Sequence, residues 1–418
     1  MNFDWKRIAL AIGFLCVIGF FIFLLYYFFF RTPEVSEIST PPGETIESPF
    51  PIGGPREPRE TSIPQSTLPP FSAPIQGVQT EQEQLPATAK EARGGSTQTH
   101  ELDTDRNTFL KPLDNGASVA TYNPYEKKFF QITPEGKKTE LSQNLFPAVD
   151  TVTWAHSGEK AIISHLDGTQ VVYDFAQQKQ LATLPAHWRD ITFSGTSEKI
   201  AFKSIGDYPE NRWIAIANDD GSNAQLIEPL GEKAGLFDVN WSPAGHVVAT
   251  FREGVDQDRQ KLFFVGVNGE NFQNTIIEGR GFESTWSPTG DRLLYSVFAT
   301  TSDYKPELWI VDAYGDAIGQ NRRKLGLQTW VDKCTFISNS TAYCAVPKTL
   351  REGAGIIRSI SDVEEDVIYK VDLTTGEKKK VAEPAQKHTI EKLVVSKDES
   401  KLFFTDKDSG RLYEINLR

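Results

Sequence analysis

Sulfur is scarce in this chain. There are three cysteines and a single methionine, which is the first residue. Cys16 falls inside an apolar run, which leaves Cys334 and Cys344 as the pair that could cross-link. No cysteine spacing resembles a zinc site. The six histidines (His100, His156, His165, His187, His246 and His388) are scattered and show no metal-ligand spacing. Positive charge is also short. Forty-four Lys and Arg against 56 Asp and Glu leave a net charge of -12, which argues against a nucleic-acid partner. No Gly-x-Ser-x-Gly elbow occurs, so a hydrolase domain of that type is absent. Asp408-Ser409-Gly410 reads as a plain turn, and no acid/base pair stands out.

One run has no charge at all. Ile8 to Phe30 is apolar throughout. As a helix it would rise about 34 Å, enough to cross a hydrocarbon core of roughly 30 Å. Signal-peptide cores are shorter and end at small residues. This run ends in Phe28-Phe29-Phe30-Arg31, so an uncleaved signal anchor is expected at residues 8–30. Lys6 and Arg7 precede it, and Glu34, Glu37, Glu44 and Glu47 follow. That bias places residues 1–7 in the cytoplasm and the rest outside it.

Residues 31–95 hold about half of the 24 prolines, spaced by Ser, Thr, Gly, Glu and Gln. Such a stretch buries too little apolar surface to fold. It is expected to be a disordered linker with a reach on the order of 100–200 Å. A spacer that carries a head away from the membrane is one reading, and an undirected linker is the other.

Beyond residue 96 a hairpin recurs. Trp241-Ser-Pro-Ala-Gly245 leads into His246-Val-Val-Ala-Thr250, and Trp286-Ser-Pro-Thr-Gly290 leads into Asp291-Arg-Leu-Leu-Tyr295. Proline pre-sets φ for the turn and glycine takes the left-handed position. Looser copies stand at Pro112, Trp154, Phe193, Phe336 and Val395. A second hairpin follows each. The spacing is that of four-stranded propeller blades. The predicted fold is all-β: a seven-bladed β-propeller over 96–418, preceded by one transmembrane helix and the Pro-rich linker. The chain ends in the third strand of the last blade. Ser96 to Leu102 is expected to pair beside residues 411–417 and close the ring.

The Trp-Ser-Pro-x-Gly-x-x-Leu pattern resembles the WD-like repeat of TolB-type β-propellers, which is also used in prolyl-oligopeptidase-type peptidases. The resemblance covers roughly residues 108–418 and implies the propeller fold. It does not transfer TolB's role, because TolB is soluble and carries a further α/β domain.

Two features suggest sites. Acidic residues precede six of the strand-A anchors: Asp150, Asp190, Asp238, Glu283, Asp332 and Glu391. Around one channel mouth they would form a ring that takes a cation or a basic peptide segment. Alternatively, each caps its own D–A turn. Apart from such a cation, no cofactor is expected. The second feature is a set of enlarged B–C loops at 204–211, 298–306 and 347–365. They carry Asp207, Tyr208, Asp303, Tyr304 and Arg351, on the face that also collects Trp188, Phe237, Phe282 and Trp330. Long loops with aromatics and arginines suit an interface, although the aromatics could instead pack between blades. Cys334 and Cys344 lie across strands A and B of blade six, either as a disulfide or as two thiols.

The expected function is that of a membrane-anchored, extracytoplasmic module binding a protein or an envelope polymer. The alternative is a propeller enzyme of hydrolase or lyase type, using carboxylates at the channel mouth.

Overall fold

The computed structural model describes Phe20 and residues 96–417. The expected anchor at 8–30 and linker at 31–95 lie outside the described residues, Phe20 excepted. Among the described residues no helix is long and apolar enough to cross a membrane.

Seven four-stranded antiparallel sheets follow one another along the chain. Each is a meander of strands A to D, with A innermost. Blade four shows the pattern: Phe237–Val239, Val247–Gly254, Arg259–Gly266 and Thr275–Glu278. Strand A runs from the D–A loop to the A–B turn, so the D–A and B–C loops share one face. The A–B and C–D turns share the other.

The last sheet closes the ring. Its strands Ile390–Val395, Lys401–Asp406 and Leu412–Asn416 are joined at the outside by His100–Asp103. His100 sits opposite Glu414, and Glu101 opposite Tyr413, as the alternation of that stretch predicts. Just upstream, the Thr97 amide donates to the Glu383 carbonyl at 2.6 Å. Leu102 packs on Leu110, Val119 and Phe403, which joins blades seven and one.

The core lies between neighbouring blades. Leu294 and Leu308 of blade five pack with Val331, Cys344 and Tyr369 at blade six. The next such layer joins Tyr343 and Ile368 to Leu393 and Phe404 of blade seven. Each fully buried side chain of this size contributes about 1.5–3 kcal/mol. Cys334 and Cys344 are directly opposed on strands A and B of blade six, and their sulfur atoms are bonded.

The Trp-Ser-Pro-x-Gly turns are structural. Trp241 and Trp286 are buried. The Trp286 indole N–H donates to the Asn240 carbonyl at 2.9 Å, and the Ser242 hydroxyl donates to the Gly290 carbonyl at 3.0 Å. Gly290 has φ +73°, and a Cβ there would lie 2.4 Å from the Ala244 nitrogen. Glycine is therefore demanded twice at that position, by backbone conformation and by space.

Candidate functional site

Five of the six series carboxylates stand on strand A rather than in the D–A turn. Asp150, Asp190, Asp238, Glu283 and Glu391 fall within strands Val149–Trp154, Trp188–Phe193, Phe237–Val239, Arg280–Trp286 and Ile390–Val395. Asp332 falls in the helical turn just before Cys334. Four of these strands carry a register shift beside the carboxylate: between Val149 and Thr151, Arg189 and Thr192, Arg280 and Glu283, and Ile390 and Lys392. A bulge re-aims the side chain it holds. None of the six accepts a hydrogen bond from a D–A turn amide, so the capping reading is corrected.

Four carboxylates come together on neighbouring blades. Asp238 senses the charge of Asp190, and Glu283 senses those of Asp332 and Asp238. Asp150 and Glu391 make no ion pair among the described residues. Cations accompany three of the six carboxylates. Lys203 pairs with Asp190 at 2.6 Å, Arg252 with Asp238 at 3.1 Å, and Arg358 with Asp332 at 2.8 Å. Arg358 also lies over the Trp330 ring, 4.8 Å from its centroid. The blade seven–blade one side carries lysines instead. Burial, and then the neighbouring Lys392, lower the Lys111 ammonium to about 8. Lys392 is exposed, yet the protein packed around it lowers its ammonium, which donates to the Asp332 carbonyl at 3.5 Å. Among the described residues no group of three or more His, Cys, Asp or Glu is placed to hold a metal ion.

Sequence reasoning missed these cations. Lys203 and Arg252 lie ten and eleven residues after the anchors Phe193 and Trp241, both near the end of strand B. Counting forward from the anchors to strand B would have found them.

The mouth has a pH signature. Glu283 is exposed, yet the protein packed around it, and then Asp332, raise its carboxyl above its usual range. A raised carboxyl favours folding below its unfolded value, and that contribution is lost as pH rises through the folded value. Glu283→Gln is therefore expected to raise the melting temperature at pH 7. The gain should close as pH falls toward about 4, the unperturbed carboxyl range. Thermal melts across pH 4–8 would check this, and a gain that widened on acidification would contradict it.

The face aromatics are not interface groups. Trp188, Phe237, Phe282 and Trp330 are all buried. Trp188 stacks on Phe202 at 3.6 Å and Phe237 on Phe251 at 4.6 Å. They sit in or next to strand A and pack inward, which corrects the interface reading of these four residues.

The loops themselves are built outward. Asp207 and Tyr208 are exposed, and a helical turn at Pro209–Asn211 follows them. The Arg212 guanidinium donates to the Gly206 and Asp207 carbonyls, both at 3.2 Å. Asp303 and Tyr304 both have positive φ, at 52° and 53°. Their carbonyls accept from the Gly353 and Gly355 amides at 2.9 and 2.7 Å. Blade six's long loop is thereby tied to that of blade five. A Cβ on Gly355 would lie 2.7 Å from the Tyr304 carbonyl, so a side chain there would break the clasp. Arg351 is exposed, and Lys348 pairs with Glu365 and Glu383, both at 3.0 Å.

Exposure singles out the same face. Among the described residues, eleven large apolar side chains are exposed on the propeller. Nine lie in its B–C or D–A loops: Tyr125, Leu145, Leu166, Tyr208, Leu236, Val255, Ile356, Ile357 and Val363. Leu226 is on an outer strand, and Tyr314 alone is on the turn face.

No family model matches the chain, and no curated protein matches it. Solved structures do match in fold. The Cps50 (Swd1) β-propeller domain from Myceliophteria thermophila is 11% identical with TM-score 0.51, covering 76% of this chain and 99% of that one. An oligogalacturonate lyase in complex with manganese is 12% identical with TM-score 0.49, covering 78% and 94%. Kuenenia stuttgartiensis hydrazine synthase is 10% identical with TM-score 0.48, covering 78% and 98%. At these identities the likeness is one of fold: a propeller scaffold, which hosts unrelated functions.

Proposed function

We propose that this chain is a membrane-anchored, extracytoplasmic binding module that engages a protein or envelope polymer through its B–C and D–A loops. The anchor and the address rest on the apolar run at 8–30 and the charges flanking it. The resemblance to TolB-type repeats rests on the two sharp hairpins at Trp241 and Trp286 and supports the scaffold alone, not a particular use of it.

One observation carries the choice of face: nine of the eleven exposed large apolar side chains of the propeller lie on the loop face. Scattered exposed apolar residues need no explanation, but their concentration on one face marks an interaction surface. Three of the series carboxylates, Asp190, Asp238 and Asp332, are already ion-paired, which suits a polar contact.

The test compares full-length variants in their own membrane. Leu166→Ser, Tyr208→Ser and Ile356→Ser combined should abolish co-purification of a partner that wild type and Tyr314→Ser retain. Equal recovery from all three chains would sink the proposal.

A further inference from the structure

The arc from blade two to blade five combines apolar tips with unbalanced charge. Each B–C tip sets a large side chain beside an aspartate: Leu166–Asp167, Asp207–Tyr208, Val255–Asp256 and Asp303–Tyr304. In the first three the apolar member is exposed, by 71%, 66% and 47%. Across the B–C and D–A loops of this arc, from 166 to 306, seven carboxylates stand against Lys233 and Lys305. At the adjoining strand ends Arg212 pairs with Glu232 and Arg259 with Asp256, and Lys305 lies 3.5 Å from Asp303, which leaves a net acidic surface. Among the described residues Asp167 and Asp207 have no ion-pair partner, and Asp167 accepts from the Thr169 amide at 2.8 Å and from the Thr169 side chain.

Charge alone does not select this surface. The turn face carries twelve acidic and three basic residues in its A–B and C–D turns. It exposes one large apolar side chain there, Tyr314. The combination of apolar tips and surplus carboxylates is particular to the arc. The arc and the turn face are both acidic, so a second copy presenting either of them meets like charge. An anionic lipid surface meets the same repulsion.

Resting on the loop-face reading above, we propose that the arc over blades two to five docks a protein segment that is basic and amphipathic, with Lys or Arg interleaved between apolar residues. Apolar side chains of the segment would cover Leu166, Tyr208 and Val255. Its cations would lie beside Asp167, Asp207 and Asp303. Complementary charge at such a rim governs encounter and specificity, with the apolar contacts holding the complex.

The test uses the full chain in nanodiscs of neutral lipid, with empty discs as the blank. The probes are an alternating lysine–leucine peptide, its glutamate–leucine counterpart and a lysine–serine peptide. The lysine–leucine peptide is expected to bind, and the other two to bind at least tenfold more weakly. Asp167→Asn with Asp207→Asn keeps the hydrogen-bonding atoms and removes two charges. Surface pairs of this kind are worth about 0.2–1 kcal/mol each, so affinity should fall about 2–30-fold with an unchanged unfolding midpoint. Leu166→Ser with Tyr208→Ser should weaken binding at high salt as well as low.

Equal binding of the lysine and glutamate peptides would overturn the proposal, as would an unaffected Asn variant. Binding to anionic vesicles that Leu166→Ser/Tyr208→Ser abolishes would replace it with a lipid surface. A dimer in sedimentation abolished by the same pair would replace it with a second copy. If loop-face variants lose a native partner while peptide selectivity is absent, the charge inference alone fails. If they retain that partner, the reading beneath it fails.

Discussion

Lys333→Met is expected to destabilise the propeller by about 3–5 kcal/mol, the cost of leaving a buried charge without its partner. The Lys333 ammonium donates to both Asp366 carboxylate oxygens, at 2.7 and 2.6 Å. The Ile390 amide donates to the same carboxylate at 2.7 Å. The two side chains are 5% and 0% exposed. Burial lowers the lysine and raises the aspartate, and the attraction between them does not reverse either direction. Desolvation therefore outweighs the pairing, and each group is tolerated because the other is present.

Methionine would remove one partner and leave the carboxylate with a single amide donor. The deficit should be largest at pH 7. It should shrink on acidification, because a buried carboxyl raised above its unfolded value destabilises the fold only while ionised. Lys333→Met with Asp366→Leu should recover most of the loss, since an apolar pair of similar volume avoids both desolvation costs. Urea midpoints at pH 5 and pH 7 would check both. A single variant within 1 kcal/mol of wild type would show that the two buried charges do not depend on each other as described.

Removing the closing strand should have an effect of similar size. A chain beginning at residue 104, compared with one beginning at 96, loses the pairing of His100–Asp103 with Leu412–Asn416. It also loses the Thr97 contacts to the Glu383–Ala385 loop, the Arg411–Glu101 ion pair at 2.9 Å and the packing of Leu102. One half-buried Leu contributes on the order of 1–2 kcal/mol, and each net backbone hydrogen bond about 0.5–1.5 kcal/mol. The total is roughly 3–6 kcal/mol. At about 2–4 °C per kcal/mol, melting should fall by about 6–24 °C. The strand at Leu412–Asn416 would become an open edge, so concentration-dependent light scattering should accompany the loss. Equal melting temperatures for the two chains would mean that the ring closes through blade packing alone.

The ring was legible because its evidence is periodic. Trp241 and Trp286 mark a turn whose fifth residue takes positive φ, as Gly245 and Gly290 do, and counting from them placed the other blades and the closing strand. The acidic series was legible by the same count. Its setting was not, because a strand bulge shifts by one residue which way Asp190 or Glu391 points, and composition does not reveal it. Lys203 and Arg252 were missed because strand-B cations look like ordinary surface residues until strand A is laid beside them. Trp188 and Phe237 were misplaced for a related reason. Each opens strand A, where one residue separates an exposed loop from a buried stack. Leu166 and Val255 show the opposite failure, since a lone apolar residue in a sequence reads as core until the fold turns it outward.

Photocrosslinking tests the binding face most directly. A benzophenone side chain is placed at Tyr208, at Ile356 or at Tyr314 in the full chain, in its native membrane. Adducts to a partner are expected from Tyr208 and Ile356 and not from Tyr314. Adducts from Tyr314 with none from the two loop positions would contradict the assignment of the loop face.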